Sequence, residues 1–321
     1  MKRRFLLGGA TALLAAPSIA QEEWPNRPIR LIVPFPPGAA NDSLGRAIAD
    51  QLAPRLGKPV VVENRPGAGG AVGSEAVARA APDGYTLLLG HIGTLAVNVA
   101  IYPRLPYDPI RDFAPVGLIA NVPNVIAINP KLPFQDLKSL VDYARANPGK
   151  LRYCSAGNGS AAHVVMLAFL SATGVEIEHV PYRGLAQALT DLTAGHVDAT
   201  TGGVPTVMPL VRQGLLRALG VSSGRRAASA PELPTVSETV SPGFNVVPWY
   251  GVAAPAGTPA GIIDRLNAEM NASLAAPAVA ARLQQEGAEP APGTPAAFAA
   301  LIQSEVPRWG RLIREAGVTA D

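Results

Sequence analysis

The chain has 321 residues, long for one domain and comfortable for two. With 48% hydrophobic and 16% charged residues it is no extensively disordered chain, and 32 Gly with 32 Pro point to many tight connections. The net charge of +3 rests on Lys2, Arg3 and Arg4, and no basic stripe elsewhere argues for nucleic acid.

Those three charges lead into an apolar segment from Phe5 to about Ala16, too short to span a bilayer as a helix. Small residues at Ser18 and Ala20 then place a cleavage point after Ala20, so residues 1–20 read as a signal peptide. Arg3-Arg4 also fits a twin-arginine signal, which leaves both export routes open. No Cys stands near the cleavage point, so the mature chain is expected to be soluble in the periplasm rather than lipid-anchored. The single Cys154 makes no intrachain disulfide and reads as a small buried residue near a strand end.

The first element is an apolar run, Ile29 to Val33, that reads as a buried strand. Pro34-Phe35-Pro36-Pro37-Gly38-Ala39-Ala40-Asn41-Asp42 forms a turn, and Leu44, Ile48, Leu52 and Leu56 mark one face of a helix over 43–56. The free N–H groups and positive dipole end of such a helix can hold an anion without Lys or Arg. The plainer alternative is a tight turn at Gly38 with Asp42 as N-cap.

A second strand, Pro59 to Glu63, runs into Pro66-Gly67-Ala68-Gly69-Gly70 and a helix over 71–80. Val72 stands where a dinucleotide fingerprint needs its third Gly, so that motif fails. Tyr85 to Leu89 is a strand, with His91 at its carboxyl end, where open α/β sheets place ligands. Strands at 113–119 and 125–128 follow with almost no helix between them, which argues for a crossover into a second domain. A helix over 133–147 and a strand over 151–154 lead to Ser155-Ala156-Gly157-Asn158-Gly159-Ser160 and an apolar helix over 161–173. This repeats the opening unit, with Ser160 or Asn158 as cap and His163 in the first turn.

A strand over 176–180 ends in Pro181-Tyr182-Arg183-Gly184, followed by a helix over 187–194 and strands at 197–201 and 215–222. Pro248 to Gly251 starts a strand that crosses back, and the tail supplies two helices, the second opened by Thr294-Pro295. Repeated strand–helix units argue for α/β architecture with parallel sheets covered by helices.

No catalytic centre emerges. Gly220-Val221-Ser222-Ser223-Gly224 fits the nucleophile elbow, but a loop follows it and no His lies downstream. His91, His163, His179 and His196 show no metal spacing, so neither an enzyme, a metal site nor a cofactor is expected.

Taken together, the ordered motifs resemble the Bug family, extracytoplasmic substrate-binding proteins of tripartite tricarboxylate transporters. The matching stretches include Arg27 to Gly38, Glu63-Asn64-Arg65-Pro66-Gly67, Pro82-Asp83-Gly84-Tyr85, Leu105-Pro106-Tyr107-Asp108, Ser155 to Gly159, His179-Val180-Pro181-Tyr182 and Ala254 to Pro259. The resemblance implies two Rossmann-like α/β domains joined by two crossovers, in the Venus-flytrap manner, over 21–122 with 251–321 and over 123–250. It implies a small mono-, di- or tricarboxylate held by Phe35, Gly38 to Asp42, Ser155 to Ser160, His163 and the Tyr182-Arg183-Gly184 turn. It also implies a monomer that serves membrane transporter subunits or, in a second reading, a sensor kinase.

There are departures from the family pattern. Ala39 stands at a usual Gly, Arg183 at a commoner Lys, and Thr201-Gly202-Gly203 at a usual Phe-Asp-Asn. Without that acidic group the expected ligand is a non-amino carboxylate.

Overall fold

Strand β1 (Ile29–Val33) buries Ile29, Leu31, Ile32 and Val33, as a strand covered on both faces must. The computed structural model describes residues 24–315 apart from 39 and 286, so the expected signal peptide and Ala39 lie outside the described residues. β1 pairs in parallel with β2 (Val60–Asn64) on one side and β3 (Thr86–His91) on the other. The crossovers carry α1 (Ala40–Leu56) and α2 (Ala71–Ala78), and a further short helix, α3 (Asn98–Ile101), follows β3.

β4 (Phe113–Asn121) leaves this sheet and β5 (Asn124–Ile128) enters another, with only Val122 and Pro123 between them. The second sheet holds β6 (Arg152–Ser155), β7 (Glu178–Pro181), β8 (Ala199–Gly203) and β9 (Arg217–Val221), in the order β7-β6-β8-β5-β9. Its helices are α4 (Leu137–Ala146), α5 (Ala161–Thr173), α6 (Leu185–Ala194), α7 (Val204–Arg212) and α8 (Val236–Thr239). β10 (Trp249–Pro255) returns to the first sheet, followed by α9 (Ala260–Leu274), α10 (Pro277–Gln285), β11 (Glu289–Pro290) and α11 (Pro295–Glu315). That sheet runs β11-β4-β10-β3-β1-β2.

The sheets are mixed rather than parallel throughout. β10 is antiparallel to β3 and β4, and β5 is antiparallel to β8 and β9. The connections explain this. A strand that arrives directly from the other lobe, without its own βα crossover, enters from the opposite end. The sequence reading also passed over α7, which holds Pro205 and Pro209; Pro205 occupies a first-turn position where its missing N–H costs nothing. Cys154 is fully buried, and burial pushes its thiol up to about 11, so it is an inert packing residue.

Helix α11 packs on the first sheet and touches α5 of the second lobe. Phe298 packs edge-on against Trp249 of β10, with ring centres 5.6 Å apart. A Cβ at Gly251 would come within 2.5 Å of the Phe298 ring, so glycine there lets the helix seat. Phe298→Ala should therefore cost about 3–5 kcal/mol. Urea unfolding should show a lower midpoint with an unchanged slope; an unchanged midpoint would remove α11 from this role.

Candidate ligand-binding cleft

In the first lobe the chain leaves β1, turns through Gly38 at φ +81° and enters α1 at Ala40, earlier than the apolar spacing predicts. Asp42 therefore lies inside the first turn and is not the N-cap. Its carboxylate accepts from Gly38 N–H at 3.0 Å, Arg46 Nε at 3.1 Å and Asn64 Nδ2 at 3.0 Å. Asn64 Nδ2 also donates to the Phe35 carbonyl at 3.0 Å. Burial alone would raise the Asp42 pKa, but the bonds from Arg46, Gly38 and Asn64 outweigh it and hold the carboxyl below its ordinary value. Asp42 is thus the staple of the turn, and both its oxygens and the Gly38 N–H are committed. Ala40 is exposed at the helix start, whereas Asn41 is buried. The Phe35 ring lies 4.8 Å from that of His91.

In the second lobe Ser155 ends β6, fully buried, with its Oγ 2.7 Å from His179 Nε2 and accepting from Gly157 N–H at 3.1 Å. Ser160 caps α5, its Oγ accepting from His163 N–H at 3.3 Å. Gly157 and Gly159 hold φ of +103° and +74°, which turns the Gly159 N–H onto His163 Nδ1 at 3.1 Å. Two of the expected residues support this loop without presenting their hydroxyls to it. Tyr182 donates its hydroxyl to Asp191 at 2.7 Å and its N–H to the Ser155 carbonyl at 3.1 Å. Thr201 donates to the Ala162 carbonyl at 2.9 Å. Arg183 is exposed and makes no ion pair among the described residues, and Gly184 caps α6.

The two lobes meet at these turns. A Cβ on Gly93 would fall 2.0 Å from the Gly159 carbonyl oxygen, and one on Gly69 2.6 Å from that of Asn158. A Cβ on Gly159 would fall 2.2 Å from Asn98 Oδ1. At this junction Asn98 Oδ1 is buried without any hydrogen-bond partner, as are Asn41 Nδ2 and His163 Nε2 in the first turns of α1 and α5. Asn98 escaped the sequence reading because it lies inside an apolar stretch, with nothing in its spacing to mark it.

The histidines here are neutral. Burial lowers His91 to about 4 and His179 to about 4, and burial with the facing His179 lowers His163 to about 3. His163 stacks on His179, which stacks on Tyr153, at 4.3 and 4.7 Å. His91 Nδ1 accepts from Thr94 N–H at 3.0 Å, as His163 Nδ1 does from Gly159, so the hydrogen-bond network assigns both ring hydrogens to Nε2. The cleft therefore offers uncharged N–H donors.

Ser222 is no nucleophile: it is fully buried and its Oγ accepts from Asn124 N–H at 3.1 Å. No group of His, Cys, Asp and Glu among the described residues can hold a metal ion. A cavity of about 730 Å³ opens elsewhere, between Asn121, Asn245, Trp249 and α11, and includes none of the expected site residues.

The family model described as tripartite tricarboxylate transporter family receptor matches residues 44–318. The BugT protein of Bordetella pertussis is 40% identical over 309 residues, covering 96% of this chain and 94% of the relative. A structure of R. palustris Rpa4515 with adipate superposes with a TM-score of 0.86 at 37% identity, covering 92% of this chain and 99% of that one. MatC from Rhodopseudomonas palustris with bound malate gives 0.83 at 35% identity, covering 90% of this chain and all of that one.

Two outcomes follow from the junction. Gly159→Ala should weaken ligand binding by at least about tenfold, because the new methyl meets Asn98 across the lobes; equal affinity in calorimetry would show that the lobes need not approach this closely. Acid should also unfold the protein early. The three histidines titrate lower folded than their ordinary 6.5, so the unfolded state binds more protons between about 6.5 and 4, and the stability present above 6.5 is lost as pH falls through that window. His163→Gln should flatten this slope by on the order of 1 kcal/mol per pH unit, measured by denaturant unfolding at pH 5 and pH 7.

Proposed function

Because this chain belongs to the tripartite tricarboxylate transporter family of receptors, solute-binding proteins and not enzymes, we propose that it captures a small mono-, di- or tricarboxylate between its two Gly-rich turns. The observation that carries this reading is the pair of buried, unpartnered donors, Asn41 Nδ2 and His163 Nε2, each in the first turn of a helix. A carboxylate there accepts both bonds and meets the positive ends of two helix dipoles. Adipate in one structural relative and malate in another agree with this chemistry.

In this reading residues 21–122 with 251–321 move as one body and 123–250 as the other, and the ligand favours their closed arrangement. The signal peptide at 1–20 is removed on export, and the loaded monomer delivers its ligand in the periplasm to the membrane subunits of a tripartite transporter.

A thermal-shift panel of carboxylates on the mature protein tests the proposal. A ligand at about a hundred times its Kd should add roughly 2.7 kcal/mol of stability. Asn41→Ala should weaken binding about tenfold or more, yet leave the free protein's melting nearly unchanged, since its amide donates to nothing in the ligand-free fold. Absence of a shift with every mono-, di- and tricarboxylate would sink the proposal.

A further inference from the structure

Resting on the carboxylate reading, we propose that His179, outside the expected site, is a positioning residue that preforms the second Gly-rich turn through Ser155. β6 and β7 run in parallel with Tyr153 opposite His179. Ser155, two residues further along β6, projects on the same face as Tyr153. The His179 ring therefore stacks on Tyr153, with centres 4.7 Å apart, while its Nε2 lies 2.7 Å from the Ser155 Oγ. That bond stands in either imidazole tautomer, because a hydroxyl both donates and accepts. The His163 ring stacks on His179 as well, at 4.3 Å.

Ser155 is the link between this ring stack and the turn. Its fully buried Oγ accepts from Gly157 N–H at 3.1 Å, and the Gly157 carbonyl accepts from Ser160 N–H at 3.1 Å. Gly157, left-handed at φ +103°, is thus held at both its polar groups, and the turn delivers Gly159 N–H to His163 Nδ1. The first lobe fastens its own turn in the same way but with charge: Asp42 holds Gly38 N–H, and Arg46 and Asn64 hold Asp42. In the second lobe a hydroxyl takes the place of the carboxylate and His179 the place of the cation. Burial lowers His179 to about 4, so this fastening is uncharged at neutral pH and sets no fixed negative charge against an incoming carboxylate. A turn already fixed in the free protein has less ordering to undergo when a ligand binds.

Calorimetric titration of the mature protein with propionate, succinate, malate, adipate and citrate supplies the reference affinity. His179→Phe keeps a ring beside Tyr153 and His163 but removes the hydrogen bond to Ser155. His179→Gln removes the ring but keeps a hydrogen-bonding group on a side chain of similar reach. For the tightest-binding acid, His179→Phe should weaken binding about tenfold, whereas His179→Gln should stay within about threefold of the wild type. A residue that served packing alone would give the reverse order. Ser155→Ala should cost as much as His179→Phe, and the double variant no more than either, since both cut the same chain of bonds. Should His179→Phe fail to fold, Ser155→Ala still decides: it should lose about tenfold, and His179→Gln added to it should change nothing further. Undiminished affinity in His179→Phe or Ser155→Ala, the reverse order of Phe and Gln, or additive losses overturns the positioning role and leaves the carboxylate reading standing. If no acid binds the wild-type protein while it melts cooperatively, the carboxylate reading fails and this inference with it.

Discussion

Backbone meets backbone where the two lobes touch, and only glycine permits that distance. Gly69 and Gly93 of the first lobe and Gly159 of the second leave no room for a Cβ against the facing Asn158, Gly159 and Asn98. Such proximity has consequences beyond packing. It removes water from Asn98, and the low-dielectric junction strengthens whatever hydrogen bonds form there. It also keeps His91 and His163 uncharged at neutral pH, since ionising either would bury a charge.

Neutral donors recognise ligands differently from cations. A site built from Lys or Arg attracts any anion at long range, whereas N–H groups in fixed directions reward an acceptor only when its lone pairs are correctly placed. Arg183, exposed at the α6 entrance, is the one formal cation among the expected site residues. Arg46 is paired with Asp42 and so shapes the loop.

Much of the fold could be read from residue patterns, and the reasons for the exceptions are local. The helix over 161–173 ends where its Ser160 cap and Gly174 place it, because cap chemistry is encoded in adjacent residues. The start of α1 was misplaced because the apolar spacing begins at Leu44, while the backbone turns helical at Ala40 under the pull of Asp42 on Gly38. Antiparallel strands such as β10 were invisible as such, since strand direction depends on where the chain comes from and not on its composition. For the cleft, the turns at Gly38 and Gly157 announced themselves by their glycines. The roles of Thr201 and Tyr182 did not, because which way a hydroxyl points depends on the partner that tertiary structure brings to it. Asn98 had no local signal at all; its importance comes from Gly159, sixty-one positions away.

Polar groups in this molecule divide by location. Within each lobe they are paired: Asp42 with Gly38, Arg46 and Asn64, Ser155 with His179, Thr201 with Ala162. Of the five buried side-chain atoms without a partner among the described residues, two are indole nitrogens of Trp24 and Trp249, two lie in the first turns of α1 and α5, and Asn98 Oδ1 lies at the junction. One hydrophobic cluster runs through both lobes, yet their contact at Gly159 buries Asn98 Oδ1, which neither lobe satisfies. Closure without ligand carries that penalty, on the order of 1–3 kcal/mol for each unpaired group. Opening returns the groups to water, and a ligand that bonds to them removes the penalty in the closed form alone. A ligand with greater affinity for the closed arrangement shifts the population towards it.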